Sequence, residues 1–381
     1  MILAVNSGSS SLKFGLYNPP DNSGDGDPVL ILQGGADGIG QTNERLRVKD
    51  AAGVTKLDEA YQLGTQSAAL REILNVIVRF AGQTPALIGH RIVHGGPHLC
   101  EHQRVTSDLV RKLEAAVHFA PVHIPAAVAL IRETEKLLPD AAQYACFDTV
   151  FHQTMPEVSR RYALPERLYE LGVERYGFHG LSYESISYRL RPTPPARVVC
   201  AHLGAGASLA ALRNGRSVDT SMGMTPTGGV PMATRSGDLD PGIIVFLLRT
   251  QHSTANELEA LLNRESGLGA LSGGKSDMRM LEQSAANGDA RAQLAIEVFA
   301  QAVRKQVGAY AAELGGLDLL VFTGGIGEHS SSMRNRICTG LEFLGITSGD
   351  PEKCAKVCVM TSQEELQIAR IVLGLSSRHA A

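Results

Sequence analysis

One pattern occurs twice in this chain: an apolar run, a turn of small residues and a second apolar run. The first copy spans residues 2–18 and the second spans residues 198–214. Apolar runs on both sides of a turn rich in Gly and Ser are typical of a β-hairpin. Because 381 residues are enough for two domains, two copies of one hairpin predict a duplicated architecture whose halves face a central cleft.

The turn of the first hairpin has the composition of an anion site. A serine-rich turn presents hydroxyl groups and backbone N–H groups in one direction, which suits a phosphate group. Lys13, after the turn, supplies a positive charge, and the amide oxygen of Asn6, before it, is a hard ligand of the kind that Mg²⁺ accepts. When the copies are aligned on Gly8 and Gly204, His202 takes the position of Asn6. From this segment alone, an ordinary hairpin with a polar turn explains the residues equally well.

Composition excludes some classes of function. Hydrophobic residues make up 44% of the chain, charged residues make up 20%, and the formal net charge is −3. We therefore expect a globular protein with no nucleic-acid partner. Six scattered cysteines without framework spacing predict reduced thiols. No basic segment precedes a long apolar stretch, so we expect no signal peptide, no membrane span and a cytoplasmic location.

Apolar periodicity and turn-forming residues predict the other elements. The predicted strands are residues 87–94, 143–147, 317–322 and 356–360. The predicted helices are residues 65–80, 108–119, 126–138, 242–248, 256–264, 289–314 and one that begins at Gln363. Loops are predicted at residues 18–28, 119–125 and 219–242.

One segment matches a phosphate-binding pattern without its context. GALSGGKS at residues 269–276 fits G-x-x-x-x-G-K-S. A functional loop of this kind follows a strand and opens a helix. Residues 257–264, before it, have helical periodicity instead, so we predict that this loop does not cradle phosphates.

Four histidines recur every four residues, a spacing that suggests metal ligands. They are His90, His94, His98 and His102. The first two lie on a predicted strand, and the Gly-Gly-Pro sequence at residues 95–97 breaks any helix, so the four do not share one face. We therefore expect solvated or loop histidines rather than metal ligands.

Three polar residues stand where α/β proteins carry chemistry. Arg91 lies in the predicted strand 87–94, and its guanidinium group suits a carboxylate or a phosphate. Asp148 follows the predicted strand 143–147, at the carboxyl end where ligands bind, and His179 lies among glycines and aromatic residues. A surface arginine, a helix-capping or turn-forming aspartate and a structural histidine remain open as alternatives.

A further strand, at residues 317–322, runs into a Gly-Gly turn at residues 324–325. Such a turn lets the backbone approach a flat or phosphorylated ligand closely. Because Gly-Gly turns are common, this motif is consistent with a nucleotide site but does not identify one.

Nine motifs in one order resemble the acetate kinase family, within the superfamily of acetate and sugar kinases, heat-shock chaperones and actin. They are NSGSSSLKF (6–14), HRIVHGG (90–96), FDTVFHQTMP (147–156), RYGFHG (175–180), HLGAGAS (202–208), DTSMGMTP (219–226), TRSGDLDPG (234–242), FTGGIGE (322–328) and EEL (364–366). The resemblance implies an α/β fold of two duplicated ribonuclease H-like (actin-like ATPase) domains with a central interdomain cleft. The implied domains are a substrate-side N-terminal one, residues 1–147 plus 365–381, and a nucleotide-binding C-terminal one, residues 148–364.

The resemblance also implies a role for each matching residue. The implied catalytic residues are Asp148, His179 and Arg235, and the implied Mg²⁺ positions are Asn6 and Glu364. The implied substrate contacts are Arg91, Val93, Val122, Phe178 and Pro226. The implied ATP contacts are Lys13, His202, Leu203, Gly204, Ala205, Gly206, Asp277, Met278, Arg279, Gly324, Gly325, Ile326, Gly327 and Glu328.

The function that this resemblance implies is the reversible, ATP-dependent phosphorylation of acetate to acetyl phosphate by direct in-line transfer, with weaker activity on propionate. Mg²⁺, for which Mn²⁺ substitutes, is the implied cofactor, ATP is the co-substrate, and a homodimer is the implied assembly. Carboxylic acids have a pKa of about 4 and are ionised at neutral pH. The acceptor therefore needs no general base, and Asp148 is expected to hold Mg²⁺ or its waters.

Three other functions remain as alternatives. A propionate kinase differs only in the size of its acceptor. A sugar or glycerol kinase of the same superfamily needs a base for its hydroxyl acceptor, which Asp148 could be, although Arg91 favours an anionic acceptor. A non-catalytic ATP switch, like actin or the heat-shock chaperones, usually carries an appended partner-binding segment, which the sequence does not show.

Overall fold

The computed structural model describes residues 1–8, 10–20 and 26–380, without the side chains of residues 379 and 380. Its strands are β1 (Ile2–Ser7), β2 (Ser11–Asn18), β3 (Val29–Asp37), β4 (Arg45–Asp50), β5 (Thr55–Ala60), β6 (Leu87–Ile92), β7 (Gln103–Arg104), β8 (Ala142–Phe147), β9 (Arg197–Leu203), β10 (Ala207–Arg213), β11 (Arg216–Thr220), β12 (Leu319–Thr323) and β13 (Val357–Val359). Its helices are α1 (Gln66–Ala81), α2 (Ser107–Ala115), α3 (His123–Leu137), α4 (Glu157–Arg160), α5 (Glu166–Glu170), α6 (Gly180–Arg189), α7 (Pro241–Thr250), α8 (Ala255–Arg264), α9 (Gly267–Ser272), α10 (Met278–Ala286), α11 (Ala290–Leu314), α12 (Gly324–His329), α13 (Ser331–Cys338) and α14 (Glu364–Ala380). Short 3₁₀ helices lie at Val117–Phe119, Val150–Thr154 and Glu342–Leu344.

The chain forms two compact units, each with one mixed sheet. Unit 1 comprises Met1–Val150, Gly180–Ser185 and Gln363–Ala381. Unit 2 comprises Phe151–His179 and Ile186–Ser362. The six cysteines are free thiols, as predicted. Within the described part of the chain, no helix is both long enough and apolar enough to cross a membrane.

The sheet of unit 1 has the strand order β5-β4-β3-β2-β1-β6-β8-β7. β1 pairs antiparallel with β2, which confirms the predicted first hairpin, although Ser9 of its turn lies outside the described residues. β1, β6 and β8 are parallel neighbours. Their carboxyl ends therefore meet at one edge of the sheet, the edge at which ligands bind in α/β proteins. The predicted loop at residues 18–28 joins β2 to β3, and its residues 21–25 lie outside the described part.

Helices cover both faces of this sheet. α1 and α3 pack on one face, and the predicted apolar stripe of α1 (Leu70, Ile73, Leu74 and Ile77) is buried there. Each such side chain stabilises the fold by about 1.5–3 kcal/mol. On the other face, α14 packs directly against the backbone of β6, because Gly89 has no side chain. A Cβ at Gly89 would lie only 2.4 Å from Ile368 and 2.6 Å from Val372.

The sheet of unit 2 repeats the plan of unit 1. Its order is β11-β10-β9-β12-β13, in which β9 and β10 form an antiparallel hairpin and β9, β12 and β13 are parallel. This order matches β3-β2-β1-β6-β8 strand for strand. The long helix α11 packs against β9 and β10. The predicted duplication of an α/β architecture is therefore confirmed.

The predicted loop at residues 119–125 is wrong in its second half. α3 begins at His123 and includes Pro125 in its first turn. Proline is tolerated there because the first N–H groups of a helix have no intrahelical acceptor. Val122 consequently stands at the N-terminal end of a helix instead of in an extended loop.

The expectation of solvated or loop histidines is wrong for His90, which is buried in β6, whereas His94 lies in a loop as expected but is buried as well. His90 Nε2 lies 2.8 Å from Gln143 Oε1, and His94 Nδ1 accepts a 2.9 Å hydrogen bond from the Gly96 N–H. Burial lowers the pKa of His90 to about 4. Among the described residues, no group of three or more His, Cys, Asp or Glu side chains could hold a metal ion.

The buried His90 predicts a loss of stability in mild acid. As the pH falls through about 6.5, the unfolded chain takes up a proton on this histidine, whereas the folded chain does so only near pH 4. The free energy of unfolding should therefore drop by about 2 kcal/mol between pH 7.5 and pH 5 on account of this residue. Urea denaturation of His90→Gln, which cannot be protonated, should show a smaller drop by that amount. The exposed His118→Gln variant is the control, and identical pH dependences in all three proteins would contradict the assignment.

Candidate active site

Arg91 and Asp148 form a buried ion pair at the carboxyl edge of the unit 1 sheet. Arg91 Nη2 and Nε donate to the same oxygen, Asp148 Oδ2, at 2.5 and 2.9 Å. The two side chains are 16% and 1% exposed. The register of β6 and β8 places Ile92 opposite Phe147, so these two strand ends bring the pair together. The surface-arginine alternative is therefore wrong for Arg91. Asp148 does lie in the turn after β8, and it forms the ion pair as well.

Asn6 joins this ion pair to the start of α14. Its Oδ1 accepts a hydrogen bond from Arg91 Nη1 at 3.1 Å. Its Nδ2 donates to Glu364 Oε2 at 2.9 Å and to Glu365 Oε1 at 2.8 Å. We call Asn6, Arg91, Asp148, Glu364 and Glu365 the carboxylate network. Sequence reasoning identified all of its members except Glu365, whose only signal was its place in the EEL motif.

The charges of the carboxylate network leave it acidic. Burial lowers the pKa of Arg91, but the Asp148 and Glu364 carboxylates outweigh it, so the net shift is upward and the guanidinium stays charged. Burial raises the pKa of Asp148, and Arg91 opposes that rise. Three carboxyl groups thus share one guanidinium. The network therefore has capacity for further positive charge.

One oxygen of the carboxylate network is left without a donor. Asp148 Oδ1 is buried, and no group in the described ranges meets hydrogen-bond geometry with it, although the Leu181 N–H approaches the Asp148 carboxyl closely enough to lower its pKa. A buried acceptor without a partner is unfavourable. Carboxylate and amide oxygens are also the ligands that Mg²⁺ prefers. The oxygens of Asp148, Glu364 and Asn6 are therefore of a type that fits Mg²⁺.

Lys13 lies next to the carboxylate network. It stands opposite Asn6 in the register of β1 and β2, and cross-strand partners project from the same face of a sheet. Its side chain is exposed. Lys13 is therefore accessible to an anion at this edge.

A small cavity adjoins Arg91 within unit 1. Its volume is about 30 Å³, which is room for a group the size of a methyl or a water. Its lining consists of Ser7, Gly8, Gln66, Arg91, Val93, Val122, His123, Ala126 and Ala127. Two residues predicted to contact the acyl group, Val93 and Val122, thus share a cavity with Arg91. Gln66 also lines this cavity, but it was not among the residues predicted for the site.

In unit 2, a histidine of the second hairpin packs against a histidine from outside it. His179 and His202 stack with their ring centroids 4.3 Å apart and an interplanar angle of 18°. His179 Nδ1 lies 2.8 Å from the Oγ of Ser208, the residue opposite His202 in the register of β9 and β10. His179 also has a positive φ of 57°. Non-glycine residues adopt this conformation rarely and often at functional sites, which favours the functional reading of His179.

Arg235 converges on the same place in unit 2. Its Nη1 donates a 3.1 Å hydrogen bond to the carbonyl of Pro226. A Cβ at Gly206 would lie 3.2 Å from His179 Nε2 and 3.7 Å from Arg235 Nη1. Gly206 therefore lies between the predicted stabilisers of the phosphoryl group, His179 and Arg235.

Phe178, predicted to line the acyl pocket, is buried, and its carbonyl lies 3.1 Å from His152 Nε2.

The predicted Gly-Gly loop at residues 324–328 is a helix, α12. Gly324 has a φ of 75°, and a Cβ there would lie 2.7 Å from the Leu203 carbonyl oxygen, so this position packs against the 202–206 loop. Glu328 Oε1 accepts 3.0 Å hydrogen bonds from the N–H groups of Gly324 and Ser362. A carboxylate that satisfies the free N–H group at the start of its own helix stabilises this short helix.

Buried Arg334, which sequence reasoning missed, completes α12. Its Nη1 donates to the carbonyls of Gly327 and Glu328 at 2.9 and 3.0 Å. It thereby donates hydrogen bonds to carbonyl groups that have no intrahelical donor at the end of a helix. No pattern in the sequence marks this arginine.

Asp277, Met278 and Arg279 lie at the start of α10. Asp277 is the N-cap, and its Oδ1 accepts a 2.9 Å hydrogen bond from the Arg279 N–H. Ser330, which follows α12, donates a 2.6 Å hydrogen bond to Glu282 Oε1 in α10. The predicted nucleotide residues of α10 and α12 are thus carried by helices that are tied together.

The G-x-x-x-x-G-K-S match lacks the structural context of a P-loop. α8 and α9 precede it, so no strand leads into it. Lys275, its lysine, pairs with Asp289 at 2.9 Å. This lysine therefore has a structural partner within unit 2.

The two units, each a mixed sheet of the same connectivity, define an actin-like ATPase fold. The profile of the Acetokinase family matches residues 1–373. The acetate kinase of Geobacillus kaustophilus is 39% identical over 99% of both chains, and the propionate kinase of Escherichia fergusonii is 41% identical over 98% of this chain and 96% of its own. The chain therefore belongs to the acetokinase family.

Solved structures agree with this assignment. The acetate kinase of Porphyromonas gingivalis superposes with a TM-score of 0.84 at 36% identity. A propionate kinase from Francisella tularensis superposes with a TM-score of 0.89 at 34% identity. Each comparison covers 98% of this chain and 99% of the other.

Proposed function

We propose that this protein is an acetate kinase, which reversibly transfers the terminal phosphoryl group of ATP to acetate and has weaker activity on propionate. The observation that carries the proposal is the charged Arg91 of the carboxylate network, which borders a cavity of about 30 Å³. An arginine beside so small a cavity suits a short carboxylate. Relatives named acetate kinase and propionate kinase support this substrate class.

In the proposed mechanism, Arg91 binds the ionised carboxylate of acetate. Phosphoryl transfer is mainly a matter of positioning and of charge neutralisation. Because the acceptor is already ionised, no residue has to remove a proton, and Asp148 is free for another role. A guanidinium group also offsets the repulsion between the two anions that must approach each other.

We further propose that unit 2 residues stabilise the group in transfer and hold the nucleotide. His179 and Arg235 donate hydrogen bonds to the equatorial oxygens of the phosphoryl group. The proposed nucleotide contacts are Lys13 in unit 1 and, in unit 2, residues 202–206, 277–279 and 324–328. Glycines in these segments allow the backbone to approach phosphates closely.

Magnesium is part of the proposal. Asn6, Asp148 and Glu364 would hold Mg²⁺ directly or through waters, with the unpartnered Asp148 Oδ1 as the first candidate. A bound Mg²⁺ supplies charge neutralisation at the phosphate oxygens. Mn²⁺, which takes similar ligands, is expected to substitute.

The cavity beside Arg91 sets the proposed preference for acetate over longer acids. One added methylene in a tight pocket changes selectivity by about 1–3 kcal/mol, which is 10- to 200-fold. Val93 and Val122 narrow this cavity, and we place Phe178 and Pro226 of unit 2 as further acyl contacts. We therefore expect propionate to be a weaker substrate and butyrate a poor one.

Trapping acyl phosphates with hydroxylamine tests the proposed function. Purified protein with ATP and Mg²⁺ should yield acetyl hydroxamate, with a lower kcat/KM for propionate and a much lower one for butyrate. A kcat/KM that favours propionate would identify a propionate kinase instead. ADP release with glycerol or glucose, or ATP binding without turnover of any acceptor, would contradict the proposal.

Arg235→Ala should lower kcat by about 10²- to 10³-fold with little change in the KM for acetate. Removing one donor aimed at the transition state costs about 3–4 kcal/mol, and Arg235 is placed on the phosphoryl group, not on the acceptor. Steady-state kinetics of acetyl hydroxamate formation measure both parameters. The exposed Arg264→Ala variant is the control. A kcat near that of the control would remove Arg235 from the mechanism.

We propose a homodimer in which α7 of one protomer contacts the other. α7 (PGIIVFLLRT) is strongly apolar, yet none of its residues is buried, and Phe246 is 57% exposed. A contiguous apolar surface of this kind marks an interaction site. Light scattering should give a dimer for the natural chain and a monomer for Phe246→Asp. Phe343→Asp, at a lone exposed phenylalanine, should remain dimeric, and a monomeric natural chain would refute the interface.

The functions of the two domains and the cellular location of the protein are also proposals. We assign substrate binding mainly to the first predicted domain (residues 1–147 plus 365–381) and nucleotide binding mainly to the second (residues 148–364). Units 1 and 2 differ from these predicted bounds at residues 148–150, 180–185 and 363–364, all of which lie in unit 1. Six free thiols and the use of ATP favour the cytoplasm.

A further inference from the structure

The first residue of α1, Gln66, ties that helix to the turn of the first hairpin. Thr65 caps α1, with its side chain accepting a hydrogen bond from the Ala68 N–H. The side chain of Gln66 is therefore free to reach away from the helix, and its Nε2 donates a short hydrogen bond to the carbonyl of Gly8. No feature of the sequence singled out this glutamine.

That contact determines which way the amide of Gln66 points. A carbonyl oxygen can only accept, so the Nε2 group must face Gly8 and Oε1 must point elsewhere. Oε1 is buried, and no donor among residues 1–8, 10–20 and 26–380 forms a hydrogen bond with it. A buried carbonyl without a donor is unfavourable, and such an atom in a native fold calls for an explanation.

Gln66 is also the uncharged side-chain amide in the wall of the cavity beside Arg91. Apart from Arg91, His123 and Ser7, the other walls of that cavity are apolar or small, as at Val93 and Val122. A carboxylate held by Arg91 would direct the substituent on its second carbon into this space. Gln66 Oε1 is closed to water in this structure. A hydroxyl group on that carbon would therefore reach this acceptor after a small movement of the Gln66 amide toward the cavity.

We propose, on the basis of the function proposed above, that Gln66 makes this protein a kinase for short 2-hydroxy carboxylates as well as for acetate. Glycolate is the smallest member of this class. One carboxylate oxygen of glycolate forms a bond to the terminal phosphorus of ATP, and the bond from that phosphorus to the bridging oxygen of ADP breaks. The products are 2-hydroxyacetyl phosphate and ADP, and no proton is transferred because the acid is already ionised.

Glycolate and propionate form a matched pair for testing this proposal. They have the same number of non-hydrogen atoms, and the terminal hydroxyl of one replaces the terminal methyl of the other. Sites that hydrogen-bond a hydroxyl reject analogues without it by about 10⁴- to 10⁵-fold, whereas apolar pockets reject the hydroxyl analogue by only about 10²-fold. The ratio of the two kcat/KM values therefore measures the contribution of the hydrogen-bond acceptor at Gln66. A general loss of activity lowers both values equally and leaves the ratio unchanged.

The test compares this ratio in the natural protein, in Gln66→Met and in Gln62→Met. Methionine keeps the length of glutamine without its oxygen, and Gln62 is a nearby exposed glutamine. We expect glycolate to exceed propionate in the natural protein and in Gln62→Met, and the ratio to fall about tenfold or more in Gln66→Met. A ratio that favours propionate in the natural protein, or that is unchanged in Gln66→Met, would overturn the inference. Absence of acetyl phosphate formation from acetate would instead overturn the proposed function, so the two failures are distinguishable.

Discussion

Replacing Arg91 with alanine is expected to lower kcat/KM for acetate by more than about 10³-fold. One charge-assisted donor is worth about 3–4 kcal/mol at a transition state, and Arg91 also neutralises three nearby carboxyl groups. The variant leaves Asp148 buried without its partner, at a cost of about 3–5 kcal/mol if that carboxylate stays ionised. Because burial already raises the pKa of Asp148, its protonation should reduce this cost. We therefore expect a folded protein with little activity.

Acetyl hydroxamate kinetics and thermal unfolding check this result together. Arg47→Ala is a suitable control because Arg47 is also a strand arginine of the unit 1 sheet, paired with Asp37 at 2.8 Å, but it is exposed. The control should keep both activity and fold. Activity of Arg91→Ala within a few-fold of the control would exclude Arg91 as the carboxylate contact.

Asp148→Asn is expected to lower kcat by about 10²- to 10³-fold and to raise the Mg²⁺ concentration needed for half-maximal activity. The substitution keeps the shape of the side chain and an acceptor for Arg91, but it removes the negative charge that we assign to Mg²⁺ or its waters. A role in acid–base chemistry would lower kcat without a change in the Mg²⁺ requirement. Titration of Mg²⁺ at saturating ATP and acetate separates the two roles.

Asp58→Asn is the matched control for this variant. Asp58 pairs with Arg45 at 2.5 Å at the surface of the same sheet, where both side chains are 42% exposed. Surface ion pairs contribute about 0–1 kcal/mol, so neither kcat nor the Mg²⁺ dependence should change. An unaltered Mg²⁺ requirement in Asp148→Asn would refute the proposed contact with Mg²⁺.

The sequence predicted the fold where apolar pattern and burial agree. Both hairpins and α1 follow directly from periodicity. That Arg91 and Asp148 belong to one site was anticipated only through the resemblance, because the two residues are far apart in the chain, and their ion pair was not predicted. It is the parallel pairing of β6 with β8 that brings them together.

What the sequence did not predict depends on contacts between distant side chains. Glu365, Arg334 and Gln66 have no local pattern, since each finds its partner only after the chain has folded. His90 was expected in solvent because histidine is polar, but its partner Gln143 makes burial tolerable. The start of α3 was missed because Pro125 looks like a breaker, although the first turn of a helix accepts proline.

The central claim is that the carboxylate oxygen of acetate itself attacks the terminal phosphorus of ATP. Incubation of the protein with ATP, Mg²⁺ and acetate labelled with ¹⁸O in its carboxylate, followed by ³¹P NMR, tests it directly. Acetyl phosphate with ¹⁸O in the bridge between carbon and phosphorus is the predicted product. Acetyl phosphate with an unlabelled bridge, or no acetyl phosphate at all while the protein binds ATP, would contradict the account.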